Sequence, residues 1–204
     1  MTALVRACRT GTLRARPVIV ISDRADAAGL DSARELGVET LALPAQPGVT
    51  ALERALADAL EACTPEWIAL AGFMRVLSAG FVSRYLGRML NIHPSLLPAY
   101  RGLHTHRRVL AAGEHAHGAS VHFVTAELDS GPVVLQSKVA VEPGDTEATL
   151  AARVLATEHI IYPQALGWCI ERRLRWHEGA AWLDGRRLDS PVVEDFRGFR
   201  GSGG

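Results

Sequence analysis

Short apolar strands alternate with amphipathic helices through the first 98 residues, and this alternation constrains the fold more than any other feature. The predicted strands cover residues 18–21, 38–43, 67–71 and 89–92, and predicted helices at 25–36, 50–62 and 79–85 lie between them. A Pro/Gly loop is predicted at 44–48, before the second of these helices, and Ser78 is the expected N-cap of the third. Parallel strands need long crossover connections, which helices usually supply. The pattern predicts an α/β fold with a Rossmann-like, mostly parallel sheet and helices on both faces.

The pattern changes after Pro98. Residues 119–125 alternate between apolar and polar side chains, and residues 133–141 are the expected antiparallel partner. A long helical pattern over 146–168 and a closing hairpin follow. The C-terminal part of the sheet is therefore expected to be antiparallel. We expect residues 1–188 to form a single domain and residues 189–204, which end in a glycine-rich stretch, to be a disordered tail.

The chain begins inside a predicted helix instead of a strand. Apolar residues recur at helical spacing over 3–8, and Gly11 ends the segment. Folds of this class usually open with a strand whose following turn binds a phosphate at a helix N-terminus. The first strand is thus expected to be missing, either because the true start lies upstream of Met1 or because the protein lacks that site. We favour an upstream start, which an in-frame stop codon directly before Met1 would contradict.

Composition favours a small-molecule ligand. Lys and Arg total 22, as do Asp and Glu, so no net charge favours nucleic acid or an anionic membrane. The three cysteines, Cys8, Cys63 and Cys169, share no short spacing, which is typical of a reduced, cytoplasmic protein. The longest apolar stretch, 67–74, is shorter than the roughly 18 residues of a membrane span, and no signal peptide is evident.

A polar pair stands at the end of the fourth predicted strand. Asn91 and His93 are two residues apart, so they lie on the same side of an extended backbone. Ligands of open α/β sheets bind at the carboxyl ends of the strands. An amide can hold a developing oxyanion, and imidazole exchanges protons near neutral pH. The alternative is a turn whose polar groups are satisfied locally.

Other polar residues allow both a functional and a structural interpretation. Asp129, in a Gly-Pro turn, either serves the turn's backbone or folds beside His93, where a carboxylate would favour the protonated imidazole. Glu158, in the long helix, is either a solvated charge or a ligand for hydroxyls or an amine. Ser95 has no nucleophile-elbow motif around it.

The histidines between positions 104 and 122 offer a rival interpretation, a zinc site. They are His104, His106, His115, His117 and His122. Imidazole is a common zinc ligand, but neither close pair has the i, i+4 spacing of a metalloprotease helix. We expect His115 and His117 to be solvated loop residues and expect no metal site.

Six ordered motifs resemble phosphoribosylglycinamide formyltransferases, a folate-dependent family of purine biosynthesis. They are Ala71-Gly-Phe-Met-Arg-Val-Leu-Ser78, Leu90-Asn-Ile-His-Pro-Ser-Leu-Leu-Pro98, Gly102-Leu-His-Thr-His106, Gly118-Ala-Ser-Val-His-Phe-Val124, Glu127-Leu-Asp-Ser-Gly-Pro132 and Glu158-His-Ile-Ile-Tyr-Pro163. The resemblance runs from the first residues to about residue 188. It implies that the amine of glycinamide ribonucleotide attacks the formyl carbon of the co-substrate 10-formyltetrahydrofolate, without a metal.

The resemblance also assigns roles to residues. It implies that Asn91 and His93 polarise the formyl oxygen, that His93 donates a proton, and that Asp129 keeps His93 protonated and manages the amine proton. The implied folate-binding residues are Met74, Arg75, Val76, Leu77, Asn91 and Asp129. The implied nucleotide-binding residues are Glu158 and Pro94.

One departure and several alternatives stay open. The family's opening strand and phosphate-binding loop have no match here, so the contact with the substrate phosphate is not carried over to this chain. A degenerate folate-binding homologue without turnover is an alternative, as is another transferase or hydrolase that uses 10-formyltetrahydrofolate. A methionyl-tRNA formyltransferase would need a C-terminal domain, and a formyltetrahydrofolate deformylase an N-terminal one.

Small-molecule substrates are the expected partners, without nucleic acid or membrane. Both a monomer and a homodimer are compatible with the sequence.

Overall fold

The computed structural model describes residues 1–43 and 49–198. The helices are α1 Thr2–Arg9, α2 Ala28–Glu35, α3 Val49–Cys63, α4 Ala79–Arg84, α5 Thr105–Ala111 and α6 Glu147–Ile170. The strands are β1 Val20–Ser22, β2 Thr40–Ala42, β3 Ile68–Leu70, β4 Met89–His93, β5 Ala116–Phe123, β6 Val133–Ala140, β7 Leu174–His177, β8 Ala180–Leu183, β9 Arg186–Arg187 and β10 Val192–Asp195. The predicted loop at 44–48 and the last six residues of the predicted tail lie outside the described residues.

The central sheet has five strands in the order β10-β6-β5-β4-β3. Strand β3 is parallel to β4, whereas β4 with β5 and β5 with β6 are antiparallel. Strands β1 and β2 form a separate parallel pair, and β7, β8 and β9 form an antiparallel sheet. The predicted α/β class, with a parallel N-terminal part and an antiparallel C-terminal part, is confirmed.

Strand β4 is covered on both faces, because its side chains alternate between two hydrophobic clusters. Leu90 and Ile92 belong to a large cluster that includes one face of α6. Met89 points the other way, into a cluster formed with α3 and α4. Asn91 and His93 share the side of Met89, since side chains two residues apart in a strand lie on one face. Burial of the apolar residues therefore fixes the direction of the polar ones.

Two helices begin at a serine or threonine whose side chain caps the helix N-terminus. The Ser78 side chain accepts a hydrogen bond from the Phe81 N–H at the start of α4, as its position predicts. Thr146 and Thr149 cap the start of α6 reciprocally. These caps satisfy N–H groups that the helices leave without partners, and they fix where α4 and α6 begin.

Strand β10 contradicts the prediction of a disordered tail from residue 189. Val192–Asp195 pairs in parallel with residues 135–138 of β6, so the prediction is wrong for this segment. The Gln164 side chain also donates to Glu194 at 2.6 Å. A four-residue edge strand has little local signal, because its pairing depends on a neighbour that lies more than fifty residues earlier in the chain.

No helix among the described residues is both long enough and apolar enough to span a bilayer.

Candidate active site

Strand β4 presents Asn91 and His93 on one side. Asn91 lies opposite His122 of β5, and His93 lies opposite Ser120. His93 is 6% exposed and Asn91 is half-buried. Because both side chains project from a strand held between two neighbours, their positions are set by the sheet and not by a mobile loop.

The loop between β5 and β6 brings Asp129 to these residues. Its carboxylate lies 3.4 Å from Nδ1 of His93 and 3.7 Å from Nε2 of His122. The Asp129 side chain is 8% exposed, and it accepts a hydrogen bond from the Gly102 N–H at 3.0 Å. The structure therefore brings together the three side chains named from the sequence as catalytic, although their chemical roles stay predictions.

A backbone carbonyl determines which nitrogen of His93 faces the carboxylate. Nε2 of His93 lies 3.0 Å from the carbonyl oxygen of Tyr100. A carbonyl only accepts, so Nε2 carries hydrogen and donates. Nδ1 is left as the nitrogen that faces Asp129, and it is a donor only when the ring is protonated. Nδ1 is therefore the ring nitrogen available to a partner other than Tyr100.

The Asp129 loop is shaped by a close backbone approach at Gly131. A Cβ atom placed on Gly131 would lie 1.8 Å from the carbonyl oxygen of Phe123. The Phe123 N–H donates to the Pro132 carbonyl at 3.0 Å, which holds the end of the loop against β5. Only glycine permits this approach, and the turn places Asp129 over β4.

A cleft opens beside Asn91, His122 and Asp129. The other residues that line it are Leu70, Phe73, Arg75, Val76, Leu77, Val82, Val124, Thr125, Ala126, Glu127 and Leu128. Three of the four residues predicted from the 74–77 segment thus line the cleft. Met74 does not line it and is 72% exposed.

Arg75 is held at the cleft by an ion pair. Its Nε donates to Asp23 at 2.7 Å. Asp23 directly follows β1, so this contact links the two-stranded sheet to the segment after β3.

His122 belongs to the site, although the sequence suggested it only as one of several metal candidates. Its side chain is buried, and Nε2 lies 3.1 Å from Nδ2 of Asn91. Nδ1 lies 2.9 Å from the carbonyl oxygen of Phe123. Burial lowers the pKa of His122, and the charge of Asp129 opposes that shift only in part. The alternation of β5 placed this ring on a definite face, but only the pairing with β4 identifies its partner.

The prediction that His117 is a solvated loop residue is wrong. It lies in β5, is 1% exposed, and its Nε2 is 3.0 Å from Nδ1 of His106. Burial lowers the pKa of His117 to about 4. His115, in contrast, is exposed as predicted. Within residues 1–43 and 49–198, no three His, Cys, Asp or Glu side chains are arranged to hold a metal ion.

The two predicted nucleotide-binding residues lie on different elements. Pro94 directly follows His93 at the end of β4. Glu158 lies on α6 and does not line the cleft. Burial raises the pKa of Glu158, and the nearby Met1 amino group partly offsets this shift.

Tyr162 was not singled out from the sequence as a site residue. Its hydroxyl lies 2.8 Å from the carbonyl oxygen of Leu70 and 3.0 Å from that of Leu90. The hydroxyl therefore ties α6 to β3 and to the residue directly before Asn91.

Comparisons with known proteins match this geometry to a family. A family model described as "Formyl transferase" matches residues 1–166. This chain belongs to the formyl transferase family. Phosphoribosylglycinamide formyltransferase of Escherichia coli (strain K12) is a relative, 50% identical over 190 residues, which are 92% of this chain and 90% of that protein.

Solved structures of formyl transferase relatives agree with this assignment. Phosphoribosylglycinamide formyltransferase from Coxiella burnetii has a TM-score of 0.89 and 47% identity, covering 94% of this chain and 92% of its own. A formyltetrahydrofolate deformylase from Burkholderia mallei has a TM-score of 0.79 and 30% identity. That alignment covers 89% of this chain but 64% of the deformylase.

Proposed function

We propose that this chain transfers the formyl group of 10-formyltetrahydrofolate to the amine of glycinamide ribonucleotide, a step of purine biosynthesis. The observation that carries the proposal is the convergence of Asn91, His93 and Asp129 beside a cleft. Family membership and the names of the close relatives support the same reaction.

The reaction starts when the amine nitrogen adds to the formyl carbon. A C–N bond forms, and the carbonyl electron pair moves onto the oxygen. In this proposal the Asn91 amide and protonated Nδ1 of His93 donate hydrogen bonds to that oxygen, because a tetrahedral oxyanion is stabilised by donors already aimed at it. The His93 Nε2–H remains bonded to Tyr100, so the ring keeps its orientation.

Asp129 has two roles in the proposed reaction. Its carboxylate, 3.4 Å from Nδ1 of His93, favours the protonated ring. It also accepts the proton that the amine loses after attack, through a water molecule. Collapse of the intermediate then breaks the bond between the formyl carbon and the folate nitrogen, which takes up the Nδ1 proton of His93. The proton held by Asp129 then restores the protonated form of His93. The products are the N-formyl nucleotide and tetrahydrofolate.

The cleft is the proposed folate site. Arg75, Val76, Leu77 and the loop 126–129 line it, and their mixture of apolar and polar groups suits a flat heteroaromatic ring with an amide tail. Met74 lies beside this segment at the surface. We assign Pro94 and Glu158 to the nucleotide. The proposal uses two small-molecule substrates and no metal, and it places the reaction in the cytoplasm.

Formyl transfer by the purified protein, expressed from its natural gene, tests the proposal. The N-formyl product is measured by mass spectrometry with 10-formyltetrahydrofolate and glycinamide ribonucleotide as substrates. His93→Ala and Asp129→Ala are each expected to lower kcat by about 10²-fold or more, while affinity for a folate analogue falls much less. His115→Ala, at an exposed histidine, is the matched control and is expected to keep wild-type turnover.

Three outcomes would contradict the proposal. Near-normal turnover of His93→Ala or Asp129→Ala would refute the assigned roles. Binding of a folate analogue without any formyl transfer by the wild-type protein would favour a degenerate binding protein. Tetrahydrofolate release in the absence of glycinamide ribonucleotide, with formate as the product, would identify a hydrolase instead.

A further inference from the structure

His122 lies behind Asn91 and contacts it through a single ring nitrogen. Nε2 of His122 is 3.1 Å from Nδ2 of Asn91, and Nδ1 is 2.9 Å from the carbonyl oxygen of Phe123. The ring is 2% exposed, so water does not compete for either nitrogen. The two residues are also directly opposite each other in the antiparallel pairing of β4 with β5. The contact is therefore built into the sheet.

The tautomer of this ring follows from its neighbours. The Phe123 carbonyl has no hydrogen to give, so Nδ1 of His122 carries the hydrogen and donates it. A neutral ring has one N–H, which leaves a lone pair on Nε2. That lone pair accepts from an N–H and repels an oxygen. Asn91 must therefore turn its amide nitrogen, and not its carbonyl oxygen, towards His122.

The orientation of Asn91 decides whether it can donate to substrate. Its amide nitrogen has two hydrogens, and His122 takes one of them. Among the described residues no other hydrogen-bond partner meets this amide, and both Asn91 and His122 line the cleft. If the amide were rotated by half a turn, its oxygen would occupy the place of the donor and would face a developing negative charge.

We propose that His122 is a positioning residue: its neutral Nδ1–H tautomer locks the Asn91 amide in the one orientation that leaves an N–H free for the formyl oxygen. The proposal rests on the proposed function, because it gives the Asn91 donor its purpose. His122 itself touches no reacting atom.

The charges around the ring support a neutral His122. Asp129 is the acidic group that faces it, with Oδ1 3.7 Å from Nε2, and His93 is the other titratable neighbour. The carboxylate of Asp129 lies closer to Nδ1 of His93, at 3.4 Å. Burial lowers the pKa of His122 and so favours its neutral form, and the charge of Asp129 opposes that shift only in part. The Asp129 carboxylate therefore faces a ring nitrogen of both histidines.

A double-mutant cycle tests the coupling. His122→Leu, which removes both ring nitrogens, is expected to lower kcat by about 10²-fold with little change in the KM for folate, because a misdirected donor acts in the transition state. His122→Gln, which keeps an acceptor at the Nε2 position, is expected to stay within about threefold of wild type. In an Asn91→Ala background, His122→Leu should lower kcat by no more than about twofold, since the positioned group is absent.

The opposite results overturn the proposal. An equal loss on adding His122→Leu to wild type and to Asn91→Ala would show that His122 acts independently of Asn91. Wild-type kcat in His122→Leu would show that the amide needs no support. Far-UV circular dichroism of each variant confirms that folded protein is compared.

Nitrogen-15 NMR of the unliganded wild-type protein provides a second measurement that needs neither activity nor a variant. The two ring nitrogens of His122 are expected to show a protonated Nδ1 and an unprotonated Nε2 at neutral pH. A protonated Nε2 would refute the tautomer and with it the proposal. If the tautomer is found but wild-type protein transfers no formyl group, the proposed function fails while the local geometry stands.

Discussion

Gly131 approaches the Phe123 carbonyl so closely that one added methyl group should disable the site. The Cβ of Gly131→Ala would lie 1.8 Å from the carbonyl oxygen, 2.8 Å from the carbonyl carbon and 3.2 Å from Cγ2 of Thr125. Ordinary van der Waals contact begins near 3.4 Å, so either the loop at Gly131 or the strand at Phe123 has to move by about 1.6 Å. The clash, and not an unusual φ angle, is what requires glycine here.

The loop, and not strand β5, is expected to move. Phe123 is fully buried and pairs with Leu90 of β4, so the strand is held on the side away from the loop. Asp129 lies two residues before Gly131 and has to move with it. A displacement of about 1 Å at a reacting group costs about 10²-fold in rate, and overpacking costs about 1–3 kcal/mol of stability. We expect Gly131→Ala to lose at least that much turnover and to unfold more easily.

Steady-state kinetics and chemical unfolding check this expectation. Gly80→Ala is the control, because its Cβ would meet only Oγ of Ser78, at 3.9 Å, on an exposed turn of α4. That variant should retain wild-type turnover. Turnover of Gly131→Ala within about threefold of wild type, with unchanged stability, would refute the steric argument.

Three further predictions concern groups on β5 and α6. Because burial lowers the pKa of His117 to about 4, the unfolded state binds more protons between about pH 6.5 and pH 4. The free energy of unfolding should fall by up to about 3 kcal/mol as the pH drops through that window, and urea titrations of His117→Gln should show a flatter dependence. Tyr162→Phe removes the hydroxyl shared by the Leu70 and Leu90 carbonyls and should cost about 1–3 kcal/mol in chemical unfolding; an unchanged midpoint would contradict this. Glu158→Gln should raise the KM for the nucleotide about tenfold or more without changing folate-analogue affinity, and a selective loss of folate binding would reverse the assignment.

Several features of the fold were predictable because their causes are local. The alternation of short apolar runs with helical patterns indicated the α/β class, and Ser78 indicated the start of α4. The spacing of Asn91 and His93 placed both on one side of a strand. Backbone periodicity and capping depend on residues within a few positions of one another, so a single sequence contains them.

The residues of the site come together through contacts between positions that lie far apart in the sequence. Asp129 lies 36 positions after His93, and no local pattern distinguishes a catalytic aspartate from one that serves a Gly-Pro turn. The role of His122 required the register of β4 against β5, which decides that its ring meets Asn91 and not a neighbour. The resemblance to a family assigned Asp129, but it did not indicate the contact between His122 and Asn91.

The burial of individual polar side chains was the property least predictable from the sequence. His117 and His115 are two positions apart in a polar segment, yet one is enclosed between sheet and helix and the other is exposed. Strand β10 likewise exists because β6 offers it an edge. The sequence by itself indicated most of the helices and strands and which way their side chains point. Only the tertiary structure decided which polar groups lose their water and meet each other, because desolvation and hydrogen bonding depend on surfaces contributed by distant parts of the chain.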